Sequence, residues 1–464
     1  MFDFDRASRA AASDEAMKTI VTTAVLRQYT ARTAEMKVLP DSGALRDLAG
    51  QIRQHAIDYL DYYLEQMKRA VEKNGGHFYL AADADEARDI ILQIARRSGC
   101  RRIIKSKSMV SEEIGLTAHL ESAGLEVTET DLGEFIVQIS HDRPSHIVAP
   151  IVHKNKASIG RLFSQYFSTP YTDDPEALTR QARLHLRERF RRAEMGITGA
   201  NFLIAETGQV VTVENEGNVR QSVTTPRVLV SVSGIEKILP RLRDLSVLIK
   251  LLARSATGQA MTIYTNLYGG PRAAGERDGP GEFHLVLIDN GRSEILAGEY
   301  RQTLRCIRCG ACLNACPIYR SIGGHAYGGV YAGPIGALVT PLMNGLGEYR
   351  DLPRASSLCG ACFEVCPVRI DIPRHLVHLR RDIRRQKLCR LGERLLFRIW
   401  GGMLRRPFLY RFIGRRQKKK LRRLADGDGW IVRLPKPFSG WTETRDLGAP
   451  AEKTFHELWK QKHG

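Results

Sequence analysis

The stretch CIRCGACLNACP, residues 306–317, contains four cysteines in the pattern Cys-x2-Cys-x2-Cys-x3-Cys and ends on a proline. This spacing is typical of ferredoxin-type iron–sulfur clusters, because thiolates two residues apart on a tight loop reach three irons of one cube. The proline suits the first turn of a following helix. Zinc sites usually combine two separated Cys-x2-Cys pairs, so the pattern favours iron–sulfur binding over zinc.

A near copy, SSLCGACFEVCP, occupies residues 356–367 and has only three cysteines, with Ser356 at the position that corresponds to Cys306. In two-cluster ferredoxin domains, the last cysteine of one motif ligates the cluster of the other motif. This crossed pattern predicts cluster 1, a [4Fe–4S] cluster, on Cys306, Cys309, Cys312 and Cys366. It predicts cluster 2 on Cys316, Cys359 and Cys362.

Cluster 2 therefore lacks one thiolate. Three thiolates hold either a [3Fe–4S] cluster or a [4Fe–4S] cluster whose fourth iron takes water, the Ser356 oxygen or a substrate atom. Cys389 is a more remote candidate for the fourth ligand, because it lies some distance along the chain on a helical pattern. Two neighbouring clusters predict a one-electron relay. The chain has no G-x-G-x-x-G fingerprint with the strand context of a dinucleotide site, so we expect electrons to enter and leave through partner proteins.

The chain length and the use of cysteine limit the class of protein. The 464 residues are enough for two or three domains. The first residues carry acidic side chains and no apolar run typical of a signal peptide, and no apolar run approaches the roughly 20 residues of a membrane-spanning helix. Seven of the nine cysteines lie in the two motifs, which indicates metal binding in a reducing compartment. We therefore expect a cytoplasmic protein.

The net charge of +19 is concentrated in one segment. Residues 374–424 contain 19 Lys or Arg and two acids, a net charge of +17, which leaves +2 for the rest of the chain. Within it, residues 394–416 mix arginines with large apolar side chains. The pattern fits a solvated basic face, docking to an acidic partner or electron carrier, or peripheral contact with the inner face of an anionic membrane. No nucleic-acid-binding motif is present, so we expect no nucleic-acid binding.

Hydrophobic periodicity divides the chain into four regions. Residues 1–74 read as helical, because apolar residues from Leu45 to Val71 recur every three or four positions. Residues 75–300 alternate strand and helix patterns, which predicts an α/β domain with a largely parallel sheet. Residues 301–388 form the ferredoxin-type region, and residues 389–464 form a basic C-terminal region. Strands are expected at 77–81, 101–106, 125–130, 135–139, 146–150, 201–206, 210–213, 227–233, 261–266 and 283–289.

Several long segments resemble the lactate utilization protein B family, iron–sulfur subunits of a bacterial L-lactate oxidation system. Besides both cysteine motifs, the resemblance is carried by KSKSMVSEEIGL (105–116), ETDLGEFIVQI (129–139), PSHIVAPIVHK (144–154), ITGANFLIAETG (197–208), VENEGNVR (213–220), TNLYGGPR (265–272) and GGHAYGGVYAGPIGA (323–337). The resemblance implies that a LUD domain, similar to the sugar-isomerase and CoA-transferase fold, extends from about residue 70 to residue 300. The three-cysteine second motif is part of the resemblance.

The resemblance also implies a function and partners. The family works with a cysteine-rich subunit similar to heterodisulfide-reductase subunits and with a second, smaller LUD-domain protein. Together they oxidise L-lactate to pyruvate, which allows growth on lactate. We therefore expect an iron–sulfur electron-transfer subunit of an L-lactate dehydrogenase complex, whose catalytic subunit the sequence does not assign.

The resemblance does not locate lactate, so the substrate candidates come from residue chemistry. A carboxylate needs a Lys or Arg, and removal of a hydroxyl proton needs a His or a carboxylate base. Polar residues of the α/β region offer both: Lys105, Lys107, Glu112, Glu113, Glu214, Glu216, Asn218 and His284. Each has a structural alternative. The two lysines fit solvated strand ends, residues 214–218 fit a turn with Gly217 at positive φ, and His284 fits a core histidine.

Two other functions remain open from the sequence. One is an iron–sulfur redox sensor that binds nucleic acid through the basic segment, although two relay-type motifs exceed what a sensor needs. The other keeps the electron-transfer role with a different substrate, such as glycolate, glycerol phosphate or another 2-hydroxy acid.

Overall fold

The computed structural model describes residues 1–463, which form two compact units. The first unit runs from Met1 to Gln386, and the second begins at Lys387. The first unit therefore contains the α/β region and both cysteine motifs.

Four helices open the first unit: α1 (Phe4–Ala12), α2 (Glu15–Val38), α3 (Ser42–Asp58) and α4 (Leu60–Lys73). The side chains of Asp3 and Asp14 accept hydrogen bonds from the first-turn amides of α1 and α2, which satisfies donors that a helix start leaves free. The helical reading of residues 1–74 is confirmed.

Ten strands follow in the first unit: β1 (His77–Ala81), β2 (Arg102–Lys105), β3 (Glu126–Glu129), β4 (Met195–Thr198), β5 (Phe202–Ile204), β6 (Gln209–Glu214), β7 (Val228–Gly234), β8 (Ile238–Leu239), β9 (Tyr264–Tyr268) and β10 (Glu282–Ile288). Six of them form one sheet in the order β1-β10-β7-β4-β2-β3, with every neighbouring pair parallel. The predicted α/β fold with a largely parallel sheet is confirmed.

The other four strands form a smaller mixed sheet in the order β8-β5-β6-β9. Its β5–β6 and β6–β9 pairs are antiparallel, whereas β5 and β8 are parallel. Phe202 and Leu239 of this sheet belong to the same apolar core as Leu313 and Ala337 of the cysteine region. One core thus fixes the cysteine region against the smaller sheet.

Eight helices connect these strands, and a ninth follows β10: α5 (Ala84–Arg97), α6 (Met109–Glu113), α7 (Leu116–Ser122), α8 (Leu132–Ile139), α9 (Lys156–Phe167), α10 (Pro175–Arg192), α11 (Asn218–Thr224), α12 (Leu242–Thr257) and α13 (Arg292–Ala297). The strand predicted at residues 135–139 is wrong, because this stretch is part of α8. The Asp131 side chain accepts from the Glu134 amide and starts the helix. Phe135 of α8 then packs on Phe163 of α9.

The strand predicted at residues 146–150 is also wrong. The ring Nδ1 of His146 accepts hydrogen bonds from the amides of Val148 and Ala149 at 3.0 and 3.1 Å. These bonds curl the backbone and remove two donors that a strand would need. The sequence pattern missed β4, which is short and contains a glycine.

The cysteine region contains α14 (Ala311–Ala315), α15 (Pro317–Ile322), α16 (Gly333–Asn344), α17 (Ala361–Val365) and α18 (Ile372–Arg385), with 3-10 turns at Arg301–Arg305, His325–Tyr327 and Leu352–Arg354. A further 3-10 turn, Ile235–Lys237, lies between β7 and β8 of the α/β region. Helices α14 and α17 begin fifty residues apart, which matches the offset between the two motifs. The sequence repeat is therefore also a structural repeat.

The second unit contains α19 (Leu391–Leu404), α20 (Pro407–Arg422), β11 (Trp430–Ile431), β12 (Leu447–Gly448), a 3-10 turn at Ser439–Thr442 and α21 (Phe455–His463). Neither α19 nor α20 has a buried residue. Across residues 1–463, each helix is too short or too polar to cross a membrane.

Candidate iron–sulfur centre

The two cysteine motifs share one loop conformation. Arg308 and Leu358 have φ values of 57° and 56°, and the glycines two positions later also have positive φ. The Arg308 amide donates to Cys306 Sγ at 3.4 Å, and the Leu358 amide donates to Ser356 Oγ at 3.1 Å. The hydroxyl of Ser356 therefore takes the place in the second loop that a thiol takes in the first.

Four cysteines line a single cavity: Cys306, Cys309, Cys312 and Cys366. These are the residues predicted for cluster 1, and the structure brings them together from both motifs. The rest of the wall is largely aliphatic, with Ile147, Ile335 and Ile370 among its members. An apolar lining of this kind excludes water from a metal cluster.

The environment of these thiols fits an iron–sulfur cluster. Burial raises the pKa of Cys309 to about 12, and neighbouring thiolates of the same set act in the same direction. Burial likewise raises the pKa of Cys366, although backbone amides such as that of Ile370, 3.3 Å from the sulfur, oppose it. Buried thiolates crowded together need bound cations, which irons supply.

Arginines surround cluster 1 and provide the opposite charge. Nη2 of Arg32 donates to the Val365 carbonyl at 2.8 Å, and Nη2 of Arg46 donates to the Cys366 carbonyl at 2.9 Å. Burial, together with the nearby Arg369 and Arg32, lowers the pKa of Arg46 to about 10. A [4Fe–4S] core with four thiolates carries net negative charge, so it would relieve this crowding of cations.

The three cysteines predicted for cluster 2 also lie together. Burial, together with the neighbouring thiolates of Cys316 and Cys359, raises the pKa of Cys362 to about 12. Cys316 caps α15 and accepts from the Tyr319 amide at 3.5 Å. Cys359 is exposed and Ser356 is half-buried. Cluster 2 would therefore lie nearer the surface than cluster 1.

A second cavity, of about 260 Å³, adjoins cluster 1. It lies between the α/β region and the first cysteine loop, and Arg308 and Cys309 line both cavities. Its polar side chains include Lys107, Asp131, Asn201, Glu214, Glu216, Asn218, Lys237 and Tyr331. A small molecule in this cavity would touch the loop that holds cluster 1.

Three family models match consecutive parts of the chain: the LUD domain over residues 64–288, the 4Fe-4S dicluster domain over 302–370, and the C-terminal model of Lactate utilisation protein B over 383–464. Lactate utilization protein B of Bacillus licheniformis is 44% identical over 451 residues, which cover 97% of this chain and 94% of that protein. The same-named protein of Shouchella clausii is 44% identical over 454 residues, or 97% and 95% of the two chains. The chain belongs to the lactate utilization protein B family.

A crystal structure of a DUF162 family protein from Deinococcus radiodurans aligns with 49% of this chain and 98% of its own, at 14% identity and a TM-score of 0.29. The match to the dicluster model implies two iron–sulfur clusters in this member of the lactate utilization protein B family. The cavity lined by Cys306, Cys309, Cys312 and Cys366 fits one of these clusters, and the neighbouring thiols of Cys316, Cys359 and Cys362 fit the other.

Four of the predicted substrate residues line the cavity beside cluster 1: Lys107, Glu214, Glu216 and Asn218. Lys107 Nζ donates to the Val148 carbonyl at 2.6 Å. Glu214 accepts from the first amides of α11 at 2.7 and 2.8 Å, so its carboxylate caps that helix. Gly217 has φ of 82°, which confirms the predicted turn.

The other candidates lie outside this cavity. Lys105 is fully buried, and its ammonium is 2.7 Å from Glu129 and 3.2 Å from Glu112. Glu113 forms a two-pronged ion pair with Arg292, at 2.8 and 2.9 Å. These lysine and glutamate side chains already have buried partners in the fold.

His284 is also away from the cavity. It is fully buried in β10, where its ring stacks on His77 at 4.8 Å and its two nitrogens are 3.3 Å from the Tyr79 hydroxyl and the Glu282 carboxylate. Burial lowers the pKa of His284 to about 4. This environment is that of a core histidine.

Sequence reasoning missed Lys237, Arg308 and Tyr331, which line the cavity on the side of cluster 1. Arg308 occupies one of the positions between cysteines for which the Cys-x2-Cys pattern requires no particular residue, so the pattern did not indicate a role for it. Lys237 is only 5% exposed and follows a buried glutamate, Glu236, in a short apolar stretch. A Glu-Lys pair inside such a stretch is the one signal that indicated buried charge.

Proposed function

We propose that this chain is the iron–sulfur electron-transfer subunit of a complex that oxidises L-lactate to pyruvate and so allows growth on lactate. One observation carries the proposal. The cysteine set of cluster 1 has no exposed member and adjoins a small cavity, whereas the set of cluster 2 includes the exposed Cys359. This arrangement suits electron transfer from a buried site to a partner at the surface. The names of the relatives, lactate utilization protein B, support lactate as the substrate.

The proposal assigns ligands and types to the clusters. Cluster 1 is [4Fe–4S] on Cys306, Cys309, Cys312 and Cys366. Cluster 2 is held by Cys316, Cys359 and Cys362, with Ser356 as its fourth ligand. The hydrogen bond from the Leu358 amide to Ser356 Oγ supports an oxygen ligand to a fourth iron, and [3Fe–4S] is the alternative.

The proposed partners are a cysteine-rich subunit similar to heterodisulfide-reductase subunits and a second LUD-domain protein, in the cytoplasm. In the second unit, α19 and α20 expose large apolar side chains between arginines: Leu391, Leu395, Phe397, Ile399, Trp400, Phe408, Tyr410 and Phe412. Together with the +17 charge of residues 374–424, these side chains support docking to an acidic protein surface. Contact with the inner face of an anionic membrane is the alternative.

Anaerobic purification followed by an iron count and EPR tests the cluster assignment. About eight irons, with a reduced signal of two interacting cubanes, would support two [4Fe–4S] clusters. About seven irons, with a strong oxidised signal near g of ~2.01, would assign [3Fe–4S] to cluster 2. Preparations that hold no cluster, or a single cluster, would refute the relay.

The physiological role has its own tests. A strain that lacks this chain is expected to lose growth on L-lactate and to keep growth on pyruvate. Loss of growth on glycolate or glycerol phosphate instead would change the substrate. Filter binding of nucleic acid at about 150 mM salt tests the sensor alternative, because non-specific binding by basic proteins weakens steeply with salt.

A further inference from the structure

We infer that the cavity beside cluster 1 binds a small carboxylic acid anion, with its carboxylate held by the ammonium of Lys237 and the guanidinium of Arg308. That the anion is a 2-hydroxy acid or its 2-oxo product rests on the proposed function, whereas the anion site rests on the residues themselves. Neither residue was expected from the sequence.

Lys237 presents an unused cation to the cavity. Its side chain is 5% exposed and lines the cavity. Across residues 1–463, its ammonium makes no hydrogen bond or ion pair. Burial lowers the pKa of Lys237 to about 8, because removal from water disfavours the charged form. A bound carboxylate would replace the lost water and stabilise the ammonium.

Arg308 presents a second unused donor. Its Nη2 is 3.6 Å from Glu236 Oε1, and its guanidinium lies 4.1 Å from the ring centre of Tyr331. Its Nη1 is buried without a hydrogen-bond partner in the described part of the chain. An unsatisfied buried donor is costly, and a carboxylate oxygen in the cavity can satisfy it.

The buried charges around these two residues leave an excess of cations. Four cations, Arg53, Lys237, Arg292 and Arg308, share the region with two acids, Glu113 and Glu236. Arg53 donates to main-chain carbonyls, and Arg292 donates to both acids. The two cations that keep free donors are the two that line the cavity.

Two acids of the cavity lie with a different lysine. Asp131 and Glu216 line the cavity and, together with Glu134 outside it, raise the pKa of Lys107 against the larger lowering effect of burial. The third acid, Glu214, caps α11. The charges that act most strongly on Lys237 are Glu236, Arg308, Cys306 and Arg53. The end of the cavity beside cluster 1 is therefore cationic, and the end beside Lys107 is mixed.

The volume of the cavity beside cluster 1 limits the size of the ligand that it can bind. A cavity of about 260 Å³ is smaller than the roughly 300–1,000 Å³ of sites for drug-sized ligands. It suits a three-carbon acid and not a dinucleotide. Because Cys309 is part of the wall, a carboxylate on Arg308 lies beside cluster 1. The competing account of the excess cations is that they only offset the negative charge of cluster 1.

The test compares Lys237→Met with Lys250→Met in the anaerobic protein with its clusters. Lys250 is exposed on α12, whose other face lines the cavity, so it gives the same loss of charge outside the site. Calorimetric titration with L-lactate, pyruvate and acetate is expected to show binding to the wild type and to Lys250→Met. Lys237→Met should bind at least about tenfold more weakly, as expected for loss of a charged hydrogen bond. Iron content and the EPR spectrum should be unchanged.

Equal affinity in Lys237→Met, or no binding to a wild type with intact clusters, would overturn the anion site and leave the electron-transfer role in place. A wild type without clusters would instead overturn the proposed function. ENDOR of the reduced wild type with L-lactate labelled with 13C at the carboxyl group needs no variant. Coupling of the label to the cluster 1 spin is expected, and its absence at saturating L-lactate would place the acid elsewhere.

Discussion

Replacement of Arg46 by methionine is expected to lower the reduction potential of cluster 1. Arg46 lies in α3, and its guanidinium donates to the carbonyl of Cys366, a proposed ligand, at 2.9 and 3.1 Å. Reduction adds a negative charge to the cluster, so a nearby cation favours the reduced state. Methionine keeps most of the aliphatic stem and removes only the charge and its hydrogen bonds.

The size of the shift follows from the geometry. A hydrogen bond to the main chain of a ligand residue places the charge roughly 8 Å from the cluster centre, where two unit charges interact by about 2 kcal/mol at an effective dielectric constant of 20. For one electron, about 1.4 kcal/mol corresponds to 59 mV, so the full effect is about 90 mV. Arg46 is half-buried, and solvent screening reduces the expected shift to roughly 30–60 mV.

An EPR redox titration of the anaerobic protein measures this shift. Arg187→Met is the matched control, because Arg187 is exposed on α10 in the α/β region. The potential of cluster 1 should fall in Arg46→Met and stay at the wild-type value in the control. A potential in Arg46→Met that equals the control, with both clusters present, would show that the arginines do not tune cluster 1.

Three further predictions concern the second cluster and the α/β core. Ser356→Cys should retain about eight irons after brief exposure to air, whereas Ser356→Ala should fall to about seven, because only the thiolate variant restores the four-cysteine motif. Lys105→Met should lower the free energy of unfolding, measured by urea denaturation, by about 3–5 kcal/mol, because it leaves Glu129 buried without its cation. The double variant that also carries Glu129→Gln should recover part of this loss. Burial lowers the pKa of His146 to about 4 from 6.5. The unfolded state therefore binds more protons than the folded state between these two pH values, and stability should decrease as the pH is lowered from 6.5 to about 4, less steeply in His146→Asn.

For each of these three predictions, one result would contradict the reasoning. Equal iron loss in both Ser356 variants would remove the oxygen ligand from cluster 2. An unchanged urea midpoint in Lys105→Met would mean that Glu129 binds a proton without cost. Parallel pH profiles for wild type and His146→Asn would place the acid sensitivity in other groups, or in the clusters.

The two cysteine sets could be predicted because the information is local. Spacing within each motif determines which thiols face one cluster, and the crossed ligand follows from the repeat. The parallel sheet followed from the alternation of strand and helix patterns for the same reason. The strand predicted at residues 135–139 was wrong because the three-residue apolar run at 135–137 fits either a strand or a helix. The cap by Asp131 and the contact of Phe135 with Phe163 decide between them.

The candidate acid site could not be predicted, because its two cations come from segments that are far apart in the sequence and no pattern links them. Lys237 is the last residue of the 3-10 turn that precedes β8 of the smaller sheet, and Arg308 lies in the cysteine loop some seventy residues later. They meet because Phe202 and Leu239 share one core with Leu313. The same packing that seals cluster 1 therefore sets the distance between its loop and the cationic end of the cavity. Because one core fixes both, we expect the distance between cluster 1 and the anion site to be set by the fold of this chain. Under the proposed function, a partner would instead receive electrons at cluster 2, near the exposed Cys359.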